Sequence, residues 1–202
     1  EDNKQAGIST ELAAFEDLGI IGGSSSNNPE NEVEIIKSRK IIGSAIDSLN
    51  LDVSYFIEGR IRKVELYQKS NPIVFDWIYK NTLLMDRDTS VVVLISENNK
   101  FSLQDIKGDF KSEHNFGQKV QTKLGAFRIF KNPSSEIVFD NKTQIEILIS
   151  LNPRDLLIDY YLKALQITAI AKTSPIIKLS LITNVREKGQ DLINELVKQY
   201  NI

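Results

Sequence analysis

Apolar residues recur every three to four positions in several stretches of the chain, and this spacing predicts helices. One helix is expected over 29–48, because Asn-Pro-Glu at its start supplies an N-cap, a proline at the first helical position and first-turn acids. Others are expected over 153–165 and 185–200. A short helix is expected over 9–18, before a flexible Gly-Ser-Asn stretch.

Alternating or continuous apolar runs between these helices predict strands. Strands are expected at 53–57, 61–67, 90–96, 101–103, 118–123, 125–131, 143–150, 166–172 and 176–183. The polar segment 105–117 is expected to be a surface loop. We therefore predict a single α+β domain over 1–202, with helices packed on one face of a mainly antiparallel sheet. Helices 29–48 and 185–200 should cover a sheet that contains 90–96, 143–150 and 176–183.

The composition excludes several functions without changing this fold. Of 202 residues, 41% are hydrophobic and 26% charged, as in an ordinary globular domain, and the net charge of −2 gives no reason to expect nucleic acid as a partner. Without cysteine there can be no disulfide and no thiolate metal site. The chain begins at Glu1 without an initiator methionine, so we expect a segment excised from a longer protein.

Motifs for common catalytic chemistry are missing, and we predict no catalytic, cofactor or metal site. There is neither a phosphate-binding loop nor a dinucleotide fingerprint, and no cysteine nucleophile. The single histidine, His114, has Asp105, Asp109 and Glu113 at four-residue spacing, which would suit a carboxylate–imidazole hydrolase site. Gly108 interrupts the helix that this spacing would need, so the pattern favours a solvated loop.

Aromatic residues give a second candidate. Phe75, Trp77 and Tyr79 alternate along one segment and could stack on a sugar ring or a peptide. The same pattern suits packing in a core or an edge strand, which we favour.

A charged cluster on the first helix is the candidate subunit contact. Basic residues follow an acidic first turn, a charge order that could pair head-to-tail around a ring, although a solvated face is the alternative. The residues are Glu30, Glu32, Glu34, Lys37, Arg39 and Lys40.

Two segments carry a resemblance to a known family. Glu-Val-Glu-Ile-Ile-Lys-Ser-Arg-Lys-Ile-Ile at 32–42, running on to Leu-Asn-Leu-Asp at 49–52, resembles the first periplasmic helix of bacterial polysaccharide chain-length determinants of the Wzz/Wzc type. Ser-Pro-Ile-Ile-Lys-Leu-Ser at 174–180 resembles the family's strand before its closing helix, which 193–200 echoes. Lys-Leu-Gly-Ala-Phe-Arg-Ile at 123–129 resembles the larger, kinase-linked members.

This resemblance implies a non-catalytic domain on the periplasmic side of the bacterial inner membrane. It implies self-assembly into a ring, control of polysaccharide chain length or export, and contact with a polymerase or export machinery. Contact with polysaccharide itself is a further expectation. In the parent protein, one membrane helix would precede this domain and a second would follow a long helical segment after the closing helix, and this chain would lack all of them. A tyrosine autokinase would belong to another part of that protein, since no kinase motif occurs here. A carbohydrate- or peptide-binding module and a hydrolase at His114 are the competing hypotheses.

Overall fold

The computed structural model describes residues 29–59, 61–81, 89–96, 100–106, 111–137, 144–171 and 176–202, so the helix predicted at 9–18 lies outside the described residues. The helices are α1 (Pro29–Ile36), α2 (Arg39–Ser48), α3 (Arg154–Ala164) and α4 (Arg186–Tyr200). The strands are β1 (Val53–Glu58), β2 (Lys63–Leu66), β3 (Ile73–Lys80), β4 (Thr89–Ser96), β5 (Lys100–Gln104), β6 (Lys111–Asn115), β7 (Val120–Thr122), β8 (Gly125–Lys131), β9 (Ile145–Leu151), β10 (Leu165–Ala169) and β11 (Ile177–Leu181).

These strands form three antiparallel sheets in the described part of the chain. The largest has the order β2-β1-β9-β4-β5-β6, a second has the order β3-β8-β7, and β10 pairs with β11 alone. Strand β1 pairs with β2 and strand β4 pairs with β5, each with its neighbour in sequence. Four helices and antiparallel sheets confirm the α+β prediction.

The six-stranded and three-stranded sheets share one hydrophobic core. Because side chains alternate along a strand, Ile147 and Ile149 of β9 point to the same face. Both are fully buried, with Phe101 of β5 and with Phe127 and Ile129 of β8 in the same cluster. Among the described residues, no helix contributes a side chain to this sandwich core.

A second core lies between the four helices and the β10–β11 sheet. Ile42, Ile46, Leu192 and Leu196 are all fully buried in it, as we expect for the apolar faces of these helices, whereas Ile35 and Val197 are 49% and 42% exposed. The expected single sheet is wrong, however. Strand β11 pairs with β10 instead of joining β4 and β9, because β10 and β11 are close in sequence and their pairing closes only a short loop.

The predicted continuous helix over 29–48 is also wrong, because the chain leaves helical geometry at Lys37 and Ser38. Ser38 is extended (φ −64°, ψ 145°), and its Oγ accepts a hydrogen bond from the Ile41 N–H at 3.3 Å, which makes it the N-cap of α2. The break allows Val33 and Ile36 of α1 to enter the same core as Ile42 of α2.

The segment 105–117, expected to be a loop, contains the edge strand β6. Its register with β5 places His114 opposite Phe101 and Ser112 opposite Leu103. A polar edge strand avoids pairing with other chains, and its composition therefore resembles that of a loop. No helix among the described residues is long and apolar enough to cross a membrane.

Candidate functional site

A polar groove separates the two cores. On β1, Val53 and Tyr55 face the sandwich core, so Ser54 and Phe56 face the opposite side of the sheet. Glu65 of β2 pairs with Phe56 and shares that side. The start of α4 lies against this outer face of the sheet.

Two clefts open along the groove. The larger has a volume of about 680 Å³ and is lined by the α2–β1 loop, β1, β2 and β3. The smaller, of about 550 Å³, is lined by β1, α3 and the segment that leads into α4. Ser54, Glu65 and Lys188 line both, so these three side chains stand where the clefts meet.

The Lys188–Glu65 ion pair joins α4 to β2 at this meeting point. Lys188 Nζ lies 2.5 Å from Glu65 Oε1 and 3.4 Å from Ser54 Oγ. The Lys188 and Glu65 side chains are only 13% and 18% exposed. Each charge is therefore neutralised at close range by its partner in a poorly hydrated place.

A second ion pair borders the larger cleft. Lys80 Nζ, at the end of β3, lies 2.5 Å from Asp52 Oδ2 and 5.8 Å from the centre of the Trp77 ring. Asp52 is buried, and its backbone carbonyl accepts a hydrogen bond from the Asn152 N–H at 2.8 Å. The backbone hydrogen bond from Asn152 thus fixes the position of Asp52 and, with it, of its carboxylate.

Two tyrosines of the same cleft remain neutral at physiological pH. The Tyr55 Oη accepts a hydrogen bond from the Phe75 N–H at 2.9 Å, and burial raises the pKa of Tyr55 to about 12. The Tyr67 hydroxyl donates to Asp191 at 2.9 Å, and burial, followed by this hydrogen bond, raises the pKa of Tyr67 to about 12. Neither phenol adds charge to the groove.

Arg39 and Glu32, two of the predicted subunit-contact residues, make contacts that link helices of the same chain. Arg39 pairs with Asp159 and, at 3.3 Å, with Asp155, so it links α2 to α3. Glu32 accepts a hydrogen bond from the Tyr200 hydroxyl, which links α1 to α4. These contacts position helices and leave Arg39 and Glu32 less available to a second copy.

The remaining contact candidates are exposed except for Lys37. Glu30, Glu34 and Lys40 are exposed, and Lys37 is half-buried beside the helix break. Within the described ranges, Glu34, Lys37 and Lys40 have no ion-pair partner. The charge pattern of the predicted surface is therefore present only in part.

The aromatic residues do not form one platform. Phe75, Trp77 and Phe127 pack together, with ring centres 4.4–5.9 Å apart. A β-bulge between Trp77 and Tyr79 shifts the register, and Tyr79 is exposed and bonded to Gln121. Stacking of all three aromatic residues on one ligand is therefore not supported, but Trp77 lines the larger cleft.

His114 lies on β6 with a hydroxyl partner alone. Its Nε2 is 2.8 Å from Ser112 Oγ, while the buried Nδ1 has no hydrogen-bond partner among the described residues. Burial lowers the pKa of His114. Glu113 points to the other face of β6 and lies 3.6 Å from Lys100, and Asp109 is outside the described residues. Among the described residues no carboxylate accepts a hydrogen bond from His114 Nδ1, whereas a catalytic triad would require one to orient the imidazole.

No metal-binding cluster of three or more acidic or histidine side chains occurs in the described part of the chain.

The two ion pairs of the groove were not predicted from the sequence, because Lys188 and Glu65 are 123 positions apart and Lys80 and Asp52 are 28 apart. Charged residues at such separations give no local pattern.

Comparison with known proteins adds little to this geometry. No protein-family model and no curated protein matches the chain. Among solved structures, FlgL of Xanthomonas campestris aligns over 96% of this chain and 76% of its own, at 11% identity and a TM-score of 0.22. A TM-score this low does not establish a shared fold.

Proposed function

We propose that this chain is the periplasmic domain of a bacterial inner-membrane protein that regulates polysaccharide chain length or export. The domain acts through contacts between copies of itself and with the polymerase or export machinery, and it performs no catalysis. The parent protein is membrane-anchored, and in the kinase-linked form it carries a tyrosine autokinase.

The observation that carries this proposal is the packing of the two segments that resemble the chain-length determinants. They lie near opposite ends of the described chain, yet Ile42 and Ile46 of α2 share one core with Leu192 and Leu196 of α4. The Tyr200–Glu32 hydrogen bond adds a contact between α4 and α1. A domain anchored to one membrane at both ends needs both connections to leave from the same region, and this packing supplies that arrangement.

The polar groups of the groove support the absence of catalysis. A general acid or base needs a group that is free to exchange a proton with a substrate. Lys188 and Lys80 are each held at 2.5 Å by a carboxylate, and Tyr55 and Tyr67 remain protonated. These four groups are therefore poorly suited to general acid–base chemistry.

The test uses charge reversal in the full-length parent protein. Lys40→Glu and Glu34→Lys are the variants of choice because both side chains are exposed and have no ion-pair partner in the described chain, whereas reversing Arg39 would also break its bonds to α3. We expect each variant to shift the length distribution of the polysaccharide, measured on gels, and to weaken the detergent-solubilised assembly.

Lys119→Glu is the matched control, since Lys119 is also exposed but lies before β7 in the other half of the domain. It should leave polymer length and assembly size at wild-type values. If deletion of the whole gene left polymer length unchanged, the proposed function would be wrong. If only the helix variants had no effect, the contact surface would lie elsewhere on the domain.

A further inference from the structure

The volume and the lining residues of the larger cleft suit a ligand-binding site. Its volume of about 680 Å³ falls in the range of small-molecule pockets, and the second cleft continues it beyond the Lys188–Glu65 pair. Val74, Trp77 and Phe130 provide apolar surface beside the ion pairs. The Trp77 ring packs against Phe75 and Phe127, and the part of Trp77 that remains accessible lines the cleft.

The charges of this cleft favour an uncharged ligand. Its two lysines, Lys80 and Lys188, are each neutralised by a carboxylate at 2.5 Å, and Asp76 adds one exposed negative charge. An anionic ligand would have to compete with Asp52 and Glu65 for the ammonium groups. A cationic ligand would have to compete with the lysines in the same way.

The lysines and carboxylates of these ion pairs still have unused hydrogen-bond donors and acceptors. An ammonium has three N–H donors and a carboxylate has about four acceptor positions. Lys80 uses one donor on Asp52, and Lys188 uses donors on Glu65 and Ser54. Spare donors and acceptors therefore stand side by side, and a hydroxyl group, which both donates and accepts, satisfies such a pair.

We propose that the larger cleft binds a neutral, hydroxyl-rich ligand, namely a saccharide unit of a short oligosaccharide, with Lys80, Asp52 and the Trp77 ring in contact with it. Regulation through protein contacts requires no ligand, so this site goes beyond the proposed function and its test is independent of polymer length. A peptide is disfavoured as the occupant, because Tyr55 already occupies the Phe75 N–H on the free edge of β3, where an added strand would bind.

The chain offers a direct probe, because Trp77 is its only tryptophan. The purified 202-residue protein is titrated with maltotriose, triacetylchitotriose and mannotriose, with trigalacturonate as the anionic comparison and a neutral Ser/Thr hexapeptide as the peptide comparison. Trp77 fluorescence and backbone NMR shifts are recorded. We expect saturable binding of at least one neutral trisaccharide, with shifts at Ser54, Glu65 and Lys80.

Two variants on the same strand separate the cleft from the surface. Val74 and Ile78 of β3 are both 41% exposed, but only Val74 lines the cleft. Val74→Arg should weaken the binding by about tenfold or more, while Ile78→Arg should leave it unchanged. Should Val74→Arg fail to fold, Lys80→Met, which keeps the stem over Trp77, takes its place with the same expected loss.

Three results would contradict the proposed saccharide site. The first is that no neutral trisaccharide binds saturably at about 20 mM, a concentration that would reveal even weak affinity. The second is that only the anionic sugar or the peptide binds, and the third is that the cleft variant and Ile78→Arg lose affinity equally. None of these binding results bears on the polymer length measured in cells. The saccharide site can therefore fail while the proposed function still holds.

Discussion

Lys188 and Glu65 form an ion pair of 2.5 Å that joins the first turn of α4 to β2 across the groove between the two cores. Both side chains are largely buried, unlike those of the Arg154–Asp47 pair, which are 47% and 56% exposed. Breaking a buried ion pair is costly, because the charge that is left without its partner is poorly solvated. The pair thus fixes α4 against the sheet.

Lys188→Met should therefore destabilise the domain, because it leaves the Glu65 carboxylate buried without a partner. We expect a loss of about 2–4 kcal/mol in the free energy of unfolding, measured by urea denaturation. The double variant Lys188→Met/Glu65→Leu should recover most of that loss.

The control for this pair is Arg154→Met, which removes an exposed ion pair and should cost less than about 1 kcal/mol. Equal losses for Lys188→Met and Arg154→Met, or no recovery in the double variant, would show that burial of the Lys188–Glu65 pair does not matter for stability.

Gly125→Ala should destabilise the three-stranded sheet. Gly125 has φ +136°, which side chains rarely tolerate, and a Cβ there would overlap the backbone carbonyl of Tyr79 on the adjacent strand. We expect a loss of about 2 kcal/mol or more, measured by thermal unfolding of the variant.

Gly43→Ala provides the comparison, because its Cβ would meet only the movable end of the Arg154 side chain. A gain of about 1 kcal/mol in helix propensity should offset the loss of the exposed Arg154–Asp47 pair. The melting temperature should stay close to that of the wild type. A large drop for Gly43→Ala would mean that the Arg154 guanidinium is held more firmly than its exposure suggests.

His114 should make stability depend on pH in mild acid. Burial lowers the pKa of its imidazole below the ordinary 6.5, so the unfolded chain binds more protons just below that pH. The stabilisation is present above about pH 6.5 and is lost as the pH falls below it. Urea midpoints at pH 7.5 and 5.5 should differ more for the wild type than for His114→Gln, and an identical pH dependence would contradict this.

The isolated domain should be a monomer or a weak oligomer at micromolar concentration. Membrane anchors and long helices would supply much of the cohesion of the proposed ring, and a modest interface rarely outweighs the entropy lost on association. Sedimentation velocity of the 202-residue chain is the measurement. A stable ring formed by this domain alone would show that the contacts within it suffice for assembly.

From the sequence it was possible to predict the exposure of some candidate contact residues and to single out Trp77, but not to predict the ion pairs of the groove. Glu34 and Lys40 stand exposed on α1 and α2 as the charge pattern indicated, since a polar position opposite an apolar stripe faces solvent. Arg39 and Glu32 follow the same pattern but bind Asp159 and Tyr200, more than a hundred positions away. Local periodicity gives the side of a helix on which a residue lies and says nothing about its partner.

Local spacing of apolar residues was enough to predict the α+β class, most of the helices and strands, and the burial of Ile42, Ile46, Leu192 and Leu196, because spacing along an element sets which face is apolar. Only the folded structure shows that β9 lies between β1 and β4, that β10 and β11 form a sheet of their own, and that β6 is a strand. It also brought Lys188 to Glu65 and Lys80 to Asp52. Strand pairing and ion pairs join residues distant in the chain, and their free energies depend on burial and geometry that exist only once the two cores have formed.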